Sequence, residues 1–190
     1  MKNWKAEFAR ALRNFRYERT PNGILFPAQN AMAGGVFSTQ EEGGPWVPHK
    51  NSVTLEYLDQ ILSDWFNSGS PPTGFYIAPF LNNIAPTSAL KAADFANTQG
   101  EYTGYTQTTR VPWVSNGASS GQKVSNSNAP AEFTIGAQAA TILGGGILTV
   151  PAKGATTGVL VAAALFGVGN SLNPGSTLKI KYELSLSPAA

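Results

Sequence analysis

Residues 176–186 read Ser176-Thr177-Leu178-Lys179-Ile180-Lys181-Tyr182-Glu183-Leu184-Ser185-Leu186. Successive side chains of a β-strand point to opposite faces. Leu178, Ile180, Tyr182, Leu184 and Leu186 therefore share one face, and Lys179, Lys181, Glu183 and Ser185 share the other. The period of two predicts a half-buried strand with one wet side.

Upstream, the runs 74–81, 102–108, 109–115, 131–136, 139–150 and 157–166 also read as strands. They are separated by turn material such as Asn116-Gly117, whose residues tolerate positive φ, and Asn126-Ser127-Asn128. The run Ile142-Leu143-Gly144-Gly145-Gly146-Ile147-Leu148 is strand-like but carries three glycines. Glycines there predict a bulge or a close backbone approach. Residues 82–98 read as a loop with a short helical turn near 90–96. Short strands at roughly ten-residue spacing predict a mainly β chain: an antiparallel β-sandwich or jelly-roll-like domain. The chain contains no internal repeat of fixed period.

Two segments break the β pattern. Over 54–67, Leu55, Leu58, Ile61, Leu62, Trp65 and Phe66 recur at helical spacing, with Thr54 as N-cap and Pro71-Pro72 beyond the end. A helix so amphipathic is expected to pack against a sheet. Over 3–17, Trp4, Phe8, Leu12 and Phe15 form another apolar stripe, with Arg10, Arg13 and Arg16 on the flank and far face. Thr20-Pro21-Asn22-Gly23 then turns the chain. Residues 24–50 read as irregular and extended, with a short strand at 35–39 and scattered large groups that include Phe26, Phe37 and Trp46. A segment with no periodicity must borrow order from a surface. The domain reading is thus 1–50 as helix and extended arm, and 51–190 as the sandwich with its leading helix.

Charged residues make up 13% of the 190-residue chain, about half the usual ~25%. A surface so poor in charge suits a subunit covered by neighbours, or one carried outside the cell. Net charge is +2, and the basic excess belongs to the first twenty residues rather than to the domain. The N-terminus carries no apolar run of secretory type. The longest apolar stretch, 158–167, is too short for a helical membrane span.

The catalytic inventory is thin. Without cysteine there is no disulfide, thiol nucleophile or thiolate metal site. The one histidine, His49, lies between Pro48 and Lys50 with no nucleophile-elbow motif anywhere in the chain. No His/Asp/Glu cluster has metal-ligand spacing. Glu41-Glu42 reads as a solvated loop, and the pairs Asp94 with Glu101 and Glu132 with Glu183 lack any glycosidase-like context. The expectation is therefore no enzyme, no metal, no cofactor, and no catalytic residue.

The 3–17 stripe could bind nucleic acid, a membrane surface, a protein groove or its own domain. Its surface is more apolar than charged, which favours docking on a protein partner over nucleic acid or membrane. The candidate partner-binding residues are Trp4, Phe8, Arg10, Leu12, Arg13, Phe15, Arg16, Phe26, Phe37 and Trp46. Interface cores are enriched in aromatics and arginine.

The run Asn51-Ser52-Val53-Thr54-Leu55-Glu56-Tyr57-Leu58, followed by Gly74-Phe75-Tyr76-Ile77-Ala78-Pro79-Phe80, resembles the opening of a tailed-bacteriophage virion protein family. Glu101-Tyr102-Thr103-Gly104-Tyr105, Thr109-Arg110-Val111-Pro112-Trp113 and Val124-Ser125-Asn126-Ser127 continue the likeness. So do Ala131-Glu132-Phe133-Thr134-Ile135, Ala152-Lys153-Gly154-Ala155-Thr156-Thr157-Gly158-Val159-Leu160 and Gly175-Ser176-Thr177-Leu178-Lys179-Ile180-Lys181-Tyr182, to about residue 186. The resemblance implies a small β-sandwich of the capsid decoration, or cement, type, which bridges major capsid subunits from outside. It brings no catalytic motif. The implied partners are the major capsid protein or other virion proteins, and further copies of the chain in a dimer or trimer. The implied location is the capsid surface of a virion. Residues 1–50 depart from the family pattern, so a neck, collar or tail position stays open. A carbohydrate-binding sandwich gripping a glycan with Tyr105 or Trp113 is the alternative from another class.

Overall fold

The alternating stretch is a strand with neighbours along its whole length. In the computed structural model, which describes residues 17–19, 21–23, 25–27, 31–117 and 119–188, it forms β12 (Thr177–Pro188). Leu178, Ile180 and Tyr182 are buried, Leu184 is half-buried and Leu186 stands in solvent. The sheet around it, sheet I, runs β4 (Val47–Lys50), β3 (Ala31–Glu41), β12 and β8 (Lys123–Ser125), with β9 (Ala131–Thr134) also on β12. β9 pairs with the first part of β12 and β8 with a later part. Lys179 faces Glu132 across this ladder in an exposed ion pair of 2.8 Å.

Sheet II is antiparallel throughout. Its order is β5 (Ser52–Val53), β11 (Leu160–Leu172), β10 (Ala140–Leu148), β6 (Phe75–Phe80) and β7 (Val111–Trp113). One core cluster draws on both sheets, with Phe37, Ile77, Phe133, Ile142, Ile147, Phe166, Ile180 and Tyr182 among its members. A second cluster joins Ala78, Phe80, Leu148, Leu160 and Ala163 of sheet II to Ala92 and Phe95 of a helix, labelled α2 (Ala92–Gln99). The fold is thus mainly β, a two-sheet antiparallel sandwich as the sequence predicts, with a helix beyond one sheet.

Sheet II is covered on both sides, and its strands show it. Leu160 to Ala164 are buried one after another, as are Gly144 to Leu148. A strand buried on both faces reads as a continuous apolar run rather than an alternation. The glycines of β10 are places where rings cross the sheet. A Cβ added at Gly146 would lie 2.6 Å from the Phe95 ring, and one at Gly144 would collide with the Phe80 ring. The pairing with β11 shifts register between Ile142 and Gly144, as a bulge requires.

The structure corrects three expectations. Residues 31–50 are not an irregular strap. They form the β3–β4 hairpin, in register from Val36 opposite Lys50 to Thr39 opposite Val47. The alternation was masked because Thr39 and His49, both polar, occupy buried positions and satisfy each other. One compact unit spans Gly34–Ser185, and Met1–Ala33 with Leu186–Ala190 make a second. In that unit β1 (Tyr17–Arg19) and β2 (Leu25–Pro27) pair as an antiparallel hairpin, its turn closed by Gly23 at φ 81°. The helix expected over 3–17 lies outside the described residues, except for Tyr17, which opens β1.

The second correction concerns residues 102–108, which are a loop. Only Tyr105 makes a bridge, to Ile135. The Lys153 ammonium takes the carbonyls of Thr103 and Tyr105 at 2.9 and 2.8 Å, which occupies acceptors a neighbouring strand would need. Thirdly, the short turn near 90–96 is the full helix α2, ended by Gly100 in the left-handed region at φ 65°.

The Gly144 contact predicts that Gly144→Ala costs about 1–3 kcal/mol through overpacking. Urea unfolding followed by tryptophan fluorescence measures the loss, with the midpoint expected to fall.

Candidate interaction surface

The helix expected over 54–67 is present as α1 (Leu55–Phe66). Thr54 caps it: its hydroxyl oxygen accepts the Tyr57 amide at 3.2 Å and its O–H donates to the Leu160 carbonyl. Asn67 closes the other end, and Ser68 takes a positive φ of 56° before Gly69. The Glu56 carboxylate accepts the amide of Ala92 at 2.9 Å and that of Leu160 at 2.8 Å. Lys91 gives α2 no side-chain cap, so Glu56 supplies one from α1. Tyr57 packs edge-on against Phe75 with ring centroids 6.3 Å apart. Burial, and then the negative Asp64, push the Tyr57 phenol above its usual pKa.

The other side of α1 is uncovered. No side chain of the helix is buried. Leu55 is 55% exposed, Leu62 57%, Trp65 80% and Phe66 84%. Of the stripe expected to pack on a sheet, Leu58 and Ile61 are half-buried, while the helix residue packed against the core is Tyr57, which lies outside the stripe. The physical reason is that both faces of sheet II are already filled, by sheet I and by α2. At 3.6 residues per turn, Leu55, Asp59, Leu62 and Phe66 lie along one line, with Trp65 beside it. The helix holds Glu56, Asp59 and Asp64 and no cation. The face is therefore apolar with an acidic tint.

The residues singled out from sequence fare differently. Phe37 is fully buried, 4.5 Å from the Tyr182 ring, and belongs to the core rather than to any interface. Trp46 is half-buried, with the Lys181 ammonium 3.7 Å from its ring centroid. Phe26 falls in β2, described by its backbone alone. Trp4, Phe8, Arg10, Leu12, Arg13, Phe15 and Arg16 lie outside the described residues. The exposure of Leu62, Trp65 and Phe66 has no signal in the sequence, because their helical spacing reads the same whether the stripe is covered or not. Tyr105 is buried and Trp113 donates its indole N–H to the Tyr182 carbonyl at 3.1 Å, so neither is free to grip a glycan.

Among the described residues, several polar groups are committed to structural bonds inside the fold. Arg110 and Glu101 form a buried bidentate pair at 2.9 and 2.7 Å. The same guanidinium donates to the carbonyls of Val150 and Ala155, and the Gly154 amide donates to Glu101. Together they pin the 149–159 loop to the 101–110 loop. Lys153 sits over the Tyr105 ring at 3.6 Å. Burial lowers the lysine's pKa, opposed by Glu101, and burial raises the Tyr105 phenol. Glu132 and Glu183 pair with Lys179 and Lys123, and Asp94 is exposed, so the carboxylates nominated from sequence do not meet as acid–base pairs. Among the described residues, no three of His, Cys, Asp and Glu gather where a metal could sit. No described helix is long and apolar enough to cross a membrane.

His49 is a junction. Its Nδ1 accepts the Gly167 amide of sheet II at 3.3 Å, which leaves Nε2–H to donate to Thr39 Oγ1 at 3.0 Å. The ring stacks on Phe166 at 4.5 Å. Both nitrogens are committed with the ring neutral, and burial lowers its pKa below the ordinary 6.5. No protein-family model matches the chain, and no curated protein matches it.

Two outcomes follow. Arg110→Ala, which strands the Glu101 carboxylate, is expected to cost about 3–5 kcal/mol, whereas Lys123→Ala at the exposed pair should cost under about 1 kcal/mol; denaturant titration separates them. Because the folded pKa of His49 is depressed, the unfolded chain binds its proton first as pH falls. Its contribution is complete above about pH 6.5 and declines as pH drops from there towards the folded value. Melting temperature against pH, compared with His49→Gln, checks this: the variant should lose that inflection.

Proposed function

We propose that the chain is a non-enzymatic structural subunit that joins an assembly through the uncovered face of α1. The assembly we propose is a tailed-bacteriophage virion, with the chain as a capsid decoration protein bridging major capsid subunits. One observation carries the reading: Leu55, Leu62, Trp65 and Phe66 stand more than half exposed on one side of an anchored helix, with Asp59 among them. Exposed apolar surface clustered in this way marks interaction sites. Covering these four groups releases about 4–8 kcal/mol gross, from which the cost of association must be subtracted. A single contact is then weak, and repetition over a shell supplies avidity. The virion assignment draws its support from the sequence resemblance and from the low charge of the chain. Among the described residues, several side chains that could do chemistry are tied up in structural roles, which agrees with a non-catalytic subunit.

The test is stoichiometry and retention on purified particles. Gel densitometry should give a copy number close to that of the major capsid protein; a far lower ratio would remove the decoration assignment and point to a neck or tail part. Leu62→Ser with Phe66→Ser should leave the melting temperature within a few degrees of wild type, since both side chains are exposed. The same variant should be lost from particles, and full retention would remove α1 from the interface.

A further inference from the structure

We infer that the occupant of the α1 face is the N-terminal segment of a second copy of this chain. The inference rests on the proposed role of α1 as an assembly surface and names what covers it. Three observations meet here. First, the patterns match in length and period. On α1, Leu55, Asp59, Leu62 and Phe66 follow at steps of four, three and four. In the segment, Trp4, Phe8, Ala11 and Phe15 follow at the same steps, with Leu12 alongside. The α1 stripe covers about 16 Å of helix at 1.5 Å per residue, the segment's spacing repeats it residue for residue, and matched spacing of this kind is what helices packing side by side require. Secondly, the charges are opposite. Residues 1–16 carry Lys2, Lys5, Arg10, Arg13 and Arg16 against Glu7 alone, while α1 carries three acids and no base. Asp59 stands inside the exposed stripe, and a partner that covers it must bring a cation, because an unpaired carboxylate taken out of water is costly. Two α1 helices facing each other would instead set acid against acid, which disfavours a symmetric α1–α1 dimer. Thirdly, the face stands in solvent, with Leu55, Leu62, Trp65 and Phe66 each more than half exposed. A segment supplied by a neighbour is the low-cost route to an assembly of identical chains.

The test is complementation between two full-length variants. One carries Trp4→Ser and Phe8→Ser and keeps its α1 face; the other carries Leu62→Ser and Phe66→Ser and keeps its segment. Sedimentation velocity of the wild type should show self-association in the micromolar range. Each variant alone should associate at least about thirtyfold more weakly, the loss of one interface anchor cluster. An equimolar mixture should restore a one-to-one heterodimer. Asp59→Lys in the wild-type background should weaken association about tenfold. A monomeric wild type overturns the inference, as does a variant that self-associates like wild type or a mixture that stays monomeric. Near-ultraviolet circular dichroism of both variants, expected to match wild type, guards against unfolding. Particle binding is read separately. If the wild type is monomeric yet Leu62→Ser/Phe66→Ser is lost from particles, the second copy is excluded and the assembly role of α1 survives.

Discussion

Strands β6, β10 and β11 present side chains to sheet I on one side and to α2 on the other. Every position along their middle must then be apolar or have almost no side chain. This explains Ala162-Ala163-Ala164 in β11 and the three glycines of β10. Small residues let the Phe80, Phe95 and Phe166 rings come against the backbone, as the crowding around Gly144, Gly145 and Gly146 records. The same constraint fixes where α1 must go. With both faces of sheet II occupied, the helix is attached at its first turn, through Thr54, Leu55, Glu56 and Tyr57. Its remaining apolar groups have no surface of the sandwich to lie on.

Polar groups inside the sandwich act as position markers. A buried ion pair adds little net stability against an apolar replacement but is costly to break. Arg110 and Glu101 hold two loops that carry no regular ladder of their own. His49 joins β3, β4 and β11, so the two sheets are linked by directed bonds as well as by packing. A line of aromatic contacts runs beside it, from His49 and Phe166 through Phe37, Tyr182, Trp113 and Phe75 to Tyr57 of α1. With so few charges in the chain, a large share of those present are structural.

Legibility followed local periodicity. β12 and α1 were readable because one face of each differs in polarity from the other. The glycine run of β10 is readable as a bulge or a close approach, and the structure shows both. The β3–β4 hairpin was hidden because its buried positions hold Thr39 and His49, which look solvated until their mutual bond is seen. The loop at 102–108 looked like a strand because Tyr102 and Tyr105 are buried, yet Lys153 holds its carbonyls from fifty residues away. Phe37 was misassigned for the same reason: burial there depends on strands distant in sequence. For the interaction surface, the helix was legible and its exposure was not, because exposure depends on sheet II having no free face.

The Glu56 carboxylate gives α1 a mechanical character. It grips two layers at once, through the first turn of α2 and the start of β11, while Trp65 and Phe66 sit at the far end of the helix. A load applied at Phe66 travels along the helix axis to a single carboxylate and its two amides, then divides between the helix layer and a central strand. The Thr54 bonds to β11 share that load. Such an arrangement resists pulling by shear across several bonds together rather than by peeling them one at a time.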